Sequence, residues 1–173
     1  MRESLKILSW VGFALLARLM PHPPNLTPYA SLIMLMGCQL SGRMSALMAL
    51  ITLIISDIFL AIFFHYPVFG SWSFFTYSGF IVMAFASHCL QGHRTVLRIG
   101  GFALSSVMLY WLWTNFGTWW LAGIYPHSAA GLMACLVAGL PFLQMSLLSA
   151  FIFVPLFFGL ILLMEKKCLL KVR

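Results

Sequence analysis

The chain has 173 residues, 62% of them hydrophobic and only 8% charged, with a mean hydropathy of +1.01. Soluble domains carry about 25% charged residues, so this composition reads as an integral membrane protein with no room for a separate soluble domain. The net charge of +7 does not point to nucleic acid, because the basic residues gather at the termini and in one loop beside apolar runs, where membrane topology accounts for them.

Crossing a hydrocarbon core of about 30 Å takes around 20 helical residues. The apolar runs predict an all-α bundle forming one domain over 1–173, with six spans at 5–20, 29–42, 44–64, 73–90, 99–116 and 144–164. The first run follows Arg2 and Lys6, lacks a small-residue cleavage site and ends in Arg18 and Pro21, so it reads as a retained helix rather than a signal peptide. The stretch ARLMPHPPNLTPY at 17–29 then sets four prolines between two apolar runs. Proline cannot continue a helix interior, so the chain leaves the membrane helix here, with Arg18, His22, Asn25 and Thr27 at the mouth of an otherwise apolar protein.

The second run is short and is expected to borrow length from that loop or to be shielded by neighbouring helices. The third is full-length and interrupted only by Asp57, and HYPVFGSW at 65–72 is a turn built on Pro67 and Gly70. A basic loop, QGHRTVLR, separates the fourth and fifth spans. From 117 to 143 the pattern breaks, with Trp119, Trp120, Tyr125, Pro126, His127 and Pro141 scattered through apolar sequence. Trp and Tyr favour the interface, which predicts an interfacial or re-entrant segment before the last span.

Every basic residue except Arg18 lies in the N-terminal tail, the Arg43 turn, the 93–98 loop or the C-terminal tail. Six spans place these four sites on one side, so the positive-inside rule predicts a multi-pass protein of the inner (plasma) membrane, embedded in lipid, with both termini cytoplasmic. The opposite loops, 21–28, 65–72 and 117–143, contain no formal charge and hold His22, His65 and His127.

Asp57 is the one acidic residue within a span, and a lone aspartate near a helix centre costs about 2.5–3.5 kcal/mol on insertion scales. Arg18 and Asp57 each lie about 20 Å along from the cytoplasmic starts of two parallel helices, at 1.5 Å per residue, so a salt bridge between them is expected. A ligand role for the pair is compatible with that. The loop histidines share no short spacing and Cys38, Cys89, Cys135 and Cys168 form no CxxC pair; no metal, cofactor or disulfide framework is expected. There is no GxSxG, HExxH or phosphate-binding glycine loop, so nothing marks an enzyme.

The motifs RxxPHPPNxTP at 18–28, SD at 56–57, NFGxW at 115–119, YP at 125–126, GLxxC at 131–135 and PF at 141–142 resemble those of a family of small bacterial membrane proteins of unknown function. That architecture is in turn similar to the six-helix substrate-binding (S) components of energy-coupling-factor vitamin transporters. The resemblance implies uptake of a vitamin-like or other small organic solute, an energising transporter module as partner, and a ligand site in the outward loops. Arg18, His22, Asn25, Asp57, His65, Asn115, Trp119, Tyr125 and His127 are the ligand-binding candidates. Many S components dock their energising subunit through AxxxA on the first helix; here Gly12, Ala14 and Ala17 stand without that spacing. A membrane-embedded enzyme or an assembly factor without a transported solute is the alternative.

Overall fold

A computed structural model of the chain describes residues 2–20, 23–65, 67, 69–92 and 95–170, with side chains from Ser9 to Ile161. The described residues are helical throughout: α1 (Arg2–Leu19), α2 (Tyr29–Gln39), α3 (Gly42–Phe64), α4 (Ser73–Ala86) continued by a 3-10 turn (Ser87–Leu90), α5 (Val96–Leu121), α6 (Ala129–Ala138) and α7 (Leu140–Leu170). Side-chain caps set several helix starts. Ser41 accepts from the Met44 amide, Thr95 from that of Arg98, and Ser128 from that of Gly131, each satisfying a donor that a helix N-terminus leaves open. Helix α3 ends at His65, whose left-handed backbone (φ 57°) closes the last turn.

Four helices are long and apolar enough to cross a membrane: Gly42–Phe64, Ser73–Leu90, Val96–Leu121 and Leu140–Ile161. Large apolar side chains such as Ile62, Phe63, Val82 and Phe151 stand exposed on them, a disposition suited to lipid. The predicted 29–42 span differs. Helix α2 stops at Gln39, and Ser41 caps a separate helix, so α2 has 11 residues, about 16 Å at 1.5 Å per residue. That is roughly half of a hydrocarbon core. The part of α1 whose side chains are described, Ser9–Leu19, is likewise shorter than a span.

Two further boundaries move. The fifth helix runs through Gly117 to Leu121 instead of stopping at 116, and within it Thr114 and Thr118 turn their hydroxyls back onto Tyr110 O and Thr114 O. The segment 117–143, expected to be interfacial or re-entrant, is mostly helical. Helix α6 follows a turn at 122–128, and α7 begins at Leu140, one residue after α6, with Pro141 in its first turn where its missing N–H costs nothing.

Helix α2 is the axis of the bundle. It contacts α1, α3, α4, the 3-10 turn and α7, and nine of its eleven residues are buried. A helix apolar all round is stable only when covered on every side. Its N-terminal Tyr29 packs edge-on against Phe80, donates through its hydroxyl to Ala49 O and pairs with Thr52 Oγ1. Toward its other end Gly37 lies so close to α4 that an added Cβ would come 1.8 Å from Ser87 Oγ. Gln91 donates from one amide nitrogen to Gly37 O and Leu40 O, satisfying carbonyls that a helix end otherwise leaves bare.

Candidate ligand-binding site

The N-terminal end of α2 lies within the bundle, and the segment leading to it is tied down on both sides. Thr27 Oγ1 donates to Ala17 O of α1, and Ser149 Oγ of α7 donates to Thr27 O at 2.6 Å. Asn25 takes a left-handed backbone, φ 63°, a conformation asparagine tolerates better than most residues. The loop thereby brings Asn25, Thr27 and Tyr29 beside Arg18.

Arg18 reaches from α1 to α3, where Nη2 donates to Asp57 Oδ1 at 2.5 Å. The other carboxylate oxygen accepts from the Tyr77 hydroxyl of α4, so both oxygens of a side chain only 4% exposed are partnered. The guanidinium also lies over the Tyr29 ring, 5.4 Å from its centroid, a favourable cation–π placement. The expected ion pair is thus present, with Tyr77 as a third member. Of the guanidinium's donors only Nη2 has an acceptor among the described residues, and Nε is buried without one.

A two-lobed cavity opens beside this group. The first lobe, about 370 Å³, is lined by Arg18, Tyr29 and Phe80, with Met83, Val107 and Ala150 as apolar wall. The second, about 340 Å³, is lined by Thr114, Asn115, Thr118, Tyr125 and Cys135. Asn25, Thr76, Tyr110 and Ser146 border both lobes, so the two lie side by side across these four side chains. Each volume falls within the range of small-molecule sites, about 300–1,000 Å³.

The junction of α6 and α7 shapes the second lobe. Trp111 Nε1 donates to Gly139 O, Asn115 Nδ2 donates to Trp111 O, and Cys135 Sγ donates to Asn115 O. A Cβ at Gly139 would come 2.4 Å from Asn115 Oδ1, so the glycine lets the helix junction close on that side chain without displacing its amide. Closer to the turn, Trp119 Nε1 donates to Pro126 O, and Gly131 packs against the same carbonyl.

Of the nine candidates read from sequence, Arg18, Asn25, Asn115 and Tyr125 line the cavity. Asp57 stands behind Arg18 and holds it. His65 caps α3 and is exposed. His127 stacks on Trp120, with ring centroids 5.5 Å apart and planes 7° from parallel, and meets Trp119 edge-on. These three side chains form a separate aromatic cluster outside the cavity, and His22 lies outside the described residues. No three His, Cys, Asp or Glu side chains come together among the described residues.

Sequence reasoning passed over Tyr29, Thr76, Tyr110 and Ser146. Their signal was present as isolated hydroxyl groups inside apolar runs, but a serine or threonine in a helix also satisfies itself on its own backbone, so the residue type alone does not separate lining from filler. A family model, that of a family of unknown function, matches residues 1–171. No curated protein and no solved structure matches the chain, so nothing among these comparisons links it to S components.

Proposed function

The chain belongs to DUF6580, a family of unknown function, and from that premise we propose that it is a membrane-embedded solute-binding protein whose two-lobed cavity takes a small organic, vitamin-like molecule for uptake. The observation that carries the reading is the cavity itself. It is a space of ligand size within a bundle of apolar helices, lined by Arg18 and by a set of hydroxyl and amide groups. A few placed polar groups on an apolar wall are the usual composition of a small-molecule site.

The topology proposed with it is six crossings, α1 and α2 completing the four long spans, with both termini cytoplasmic and the cavity opening outward. The segregation of basic residues supports this orientation. In intact cells, labelling of Cys168 by an impermeant thiol reagent added from outside would reverse it.

The binding reading is tested by melting the purified protein against a broad panel of vitamins and related cofactors, alongside mass spectrometry of what co-purifies. A true ligand at 100 times its dissociation constant adds about 2.7 kcal/mol of stability, a clear upward shift in Tm. Silence across the panel, with nothing co-purified, refutes the proposal.

A further inference from the structure

Resting on that reading, we infer that the ligand is electrically neutral, presents a carbonyl-type acceptor to Arg18 in the first lobe, and presents hydroxyl or N–H donors to the hydroxyl groups on the wall. Two observations carry this, one about charge and one about hydrogen-bond direction.

The charge beside the first lobe is already balanced. Arg18 is the one cationic side chain on the cavity wall among the described residues, and Asp57 is bonded to it directly. A ligand carboxylate at the same guanidinium would be drawn in beside Asp57, and like charges at short range in a poorly hydrated site repel strongly. A neutral oxygen acceptor takes the remaining guanidinium donors without that repulsion. Next to Arg18, Met83, Val107 and Ala150 provide wall for an apolar body.

Donor direction sets Arg18 apart from the hydroxyl groups on the wall. In the second lobe the Thr114 hydroxyl donates to Tyr110 O and the Thr118 hydroxyl to Thr114 O; at the waist the Ser146 hydroxyl donates to Phe142 O. A hydroxyl has one proton to give and two lone pairs, so these three oxygens offer the cavity acceptors. The guanidinium of the first lobe offers only donors. Thr27 and Ser149 in the first lobe likewise give their protons to Ala17 O and Thr27 O, so the cavity has one donating point, Arg18, on a wall of hydroxyl acceptors, and a ligand must be polarised the opposite way.

The test uses full-length protein in detergent and three matched probe pairs, nicotinamide with nicotinate, biotinamide with biotin, and panthenol with pantothenate. Each pair differs in whether one end is neutral or a carboxylate. Affinity is read by calorimetry and by thermal shift. At least one neutral member is expected to bind tenfold or more tightly than its acid. Arg18→Lys keeps a cation for Asp57 but loses the planar fork, and should weaken that binding at least tenfold. Thr114→Val and Ser146→Ala leave the ion pair untouched and keep the test alive if Arg18→Lys does not fold; each should weaken the neutral probe severalfold. Acids binding as well as or better than their neutral partners would overturn the inference and leave the solute-binding reading standing, as would neutral binding indifferent to all the variants. Silence from all six probes would overturn the inference, while the solute-binding reading stands or falls on the broad panel and on what co-purifies.

Discussion

The two ends of α2 are buried in opposite ways. Around its C-terminal half, Met34, Leu35 and Cys38 pack with Leu90, Ile99 and Phe158, and Gly37 backs directly onto Ala84 and Ser87. Around its N-terminal end the same bundle leaves lobes of about 370 and 340 Å³ and a buried ion pair. One end is held by volume, the other by charge and hydrogen bonds. The difference follows from length, since a helix of about 16 Å cannot fill the depth its longer neighbours span, and what it leaves is lined by a loop and by polar side chains.

This contrast can be broken most forcefully at the charged end. Asp57→Asn leaves Arg18 without its counter-charge, at a cost of about 3–5 kcal/mol for a fully buried partner, and less here because Arg18 keeps 19% exposure. Folded yield and Tm should fall, and Arg18→Gln should recover part of the loss in the double variant, with a coupling of roughly 0.5–3 kcal/mol. Strict additivity would show that the two charges are independent. At the packed end, Gly37→Ala should cost about 1–3 kcal/mol by overpacking, because the new methyl meets Ser87 Oγ and Ala84 O. A neutral result in Tm would mean that α2 and α4 are not in close contact.

Smaller effects sharpen the picture. Tyr77→Phe removes a hydrogen bond to a carboxylate and should cost about 1.5–3 kcal/mol, read as a lower Tm that Asp57→Asn makes largely redundant. Ser149→Ala frees Thr27 O and should cost about 1 kcal/mol. Ser146→Leu adds bulk where the lobes join, and with open space to receive it should shift stability by about 0.5 kcal/mol or less while abolishing any ligand-induced thermal shift. An alanine that is costly at Gly37 beside a leucine that is tolerated at Ser146 would state the contrast in two variants.

Much of this was legible in the sequence. Apolar length marked the four long helices, and equal distance from the helix starts anticipated the Arg18–Asp57 pair. The proline-rich loop led to Asn25 at the cavity. Two features were not legible, for identifiable reasons. The stop of α2 at Gln39 goes with tertiary hydrogen bonds from Gln91 to its last carbonyls, and hydropathy registers neither these nor the continuation of α5 to Leu121. The histidines drew attention by residue type, yet His65 and His127 serve a helix end and an aromatic stack, whereas Tyr110 and Thr76, unremarkable in their apolar runs, face the cavity.

The amide of Gln91, which closes the end of α2, has a consequence for how the protein is made. The carbonyls it satisfies belong to Gly37 and Leu40, more than fifty residues earlier in the chain. A segment of 11 residues is too short to be threaded into a bilayer by itself, and its bare carbonyls are costly in lipid until they find donors. During synthesis α2 therefore emerges long before the side chain that completes it, while α3 and α4 are laid down in between. Its burial is begun by α1 and completed by helices translated later, so a chain arrested before residue 91 holds α2 without the donor that closes its end.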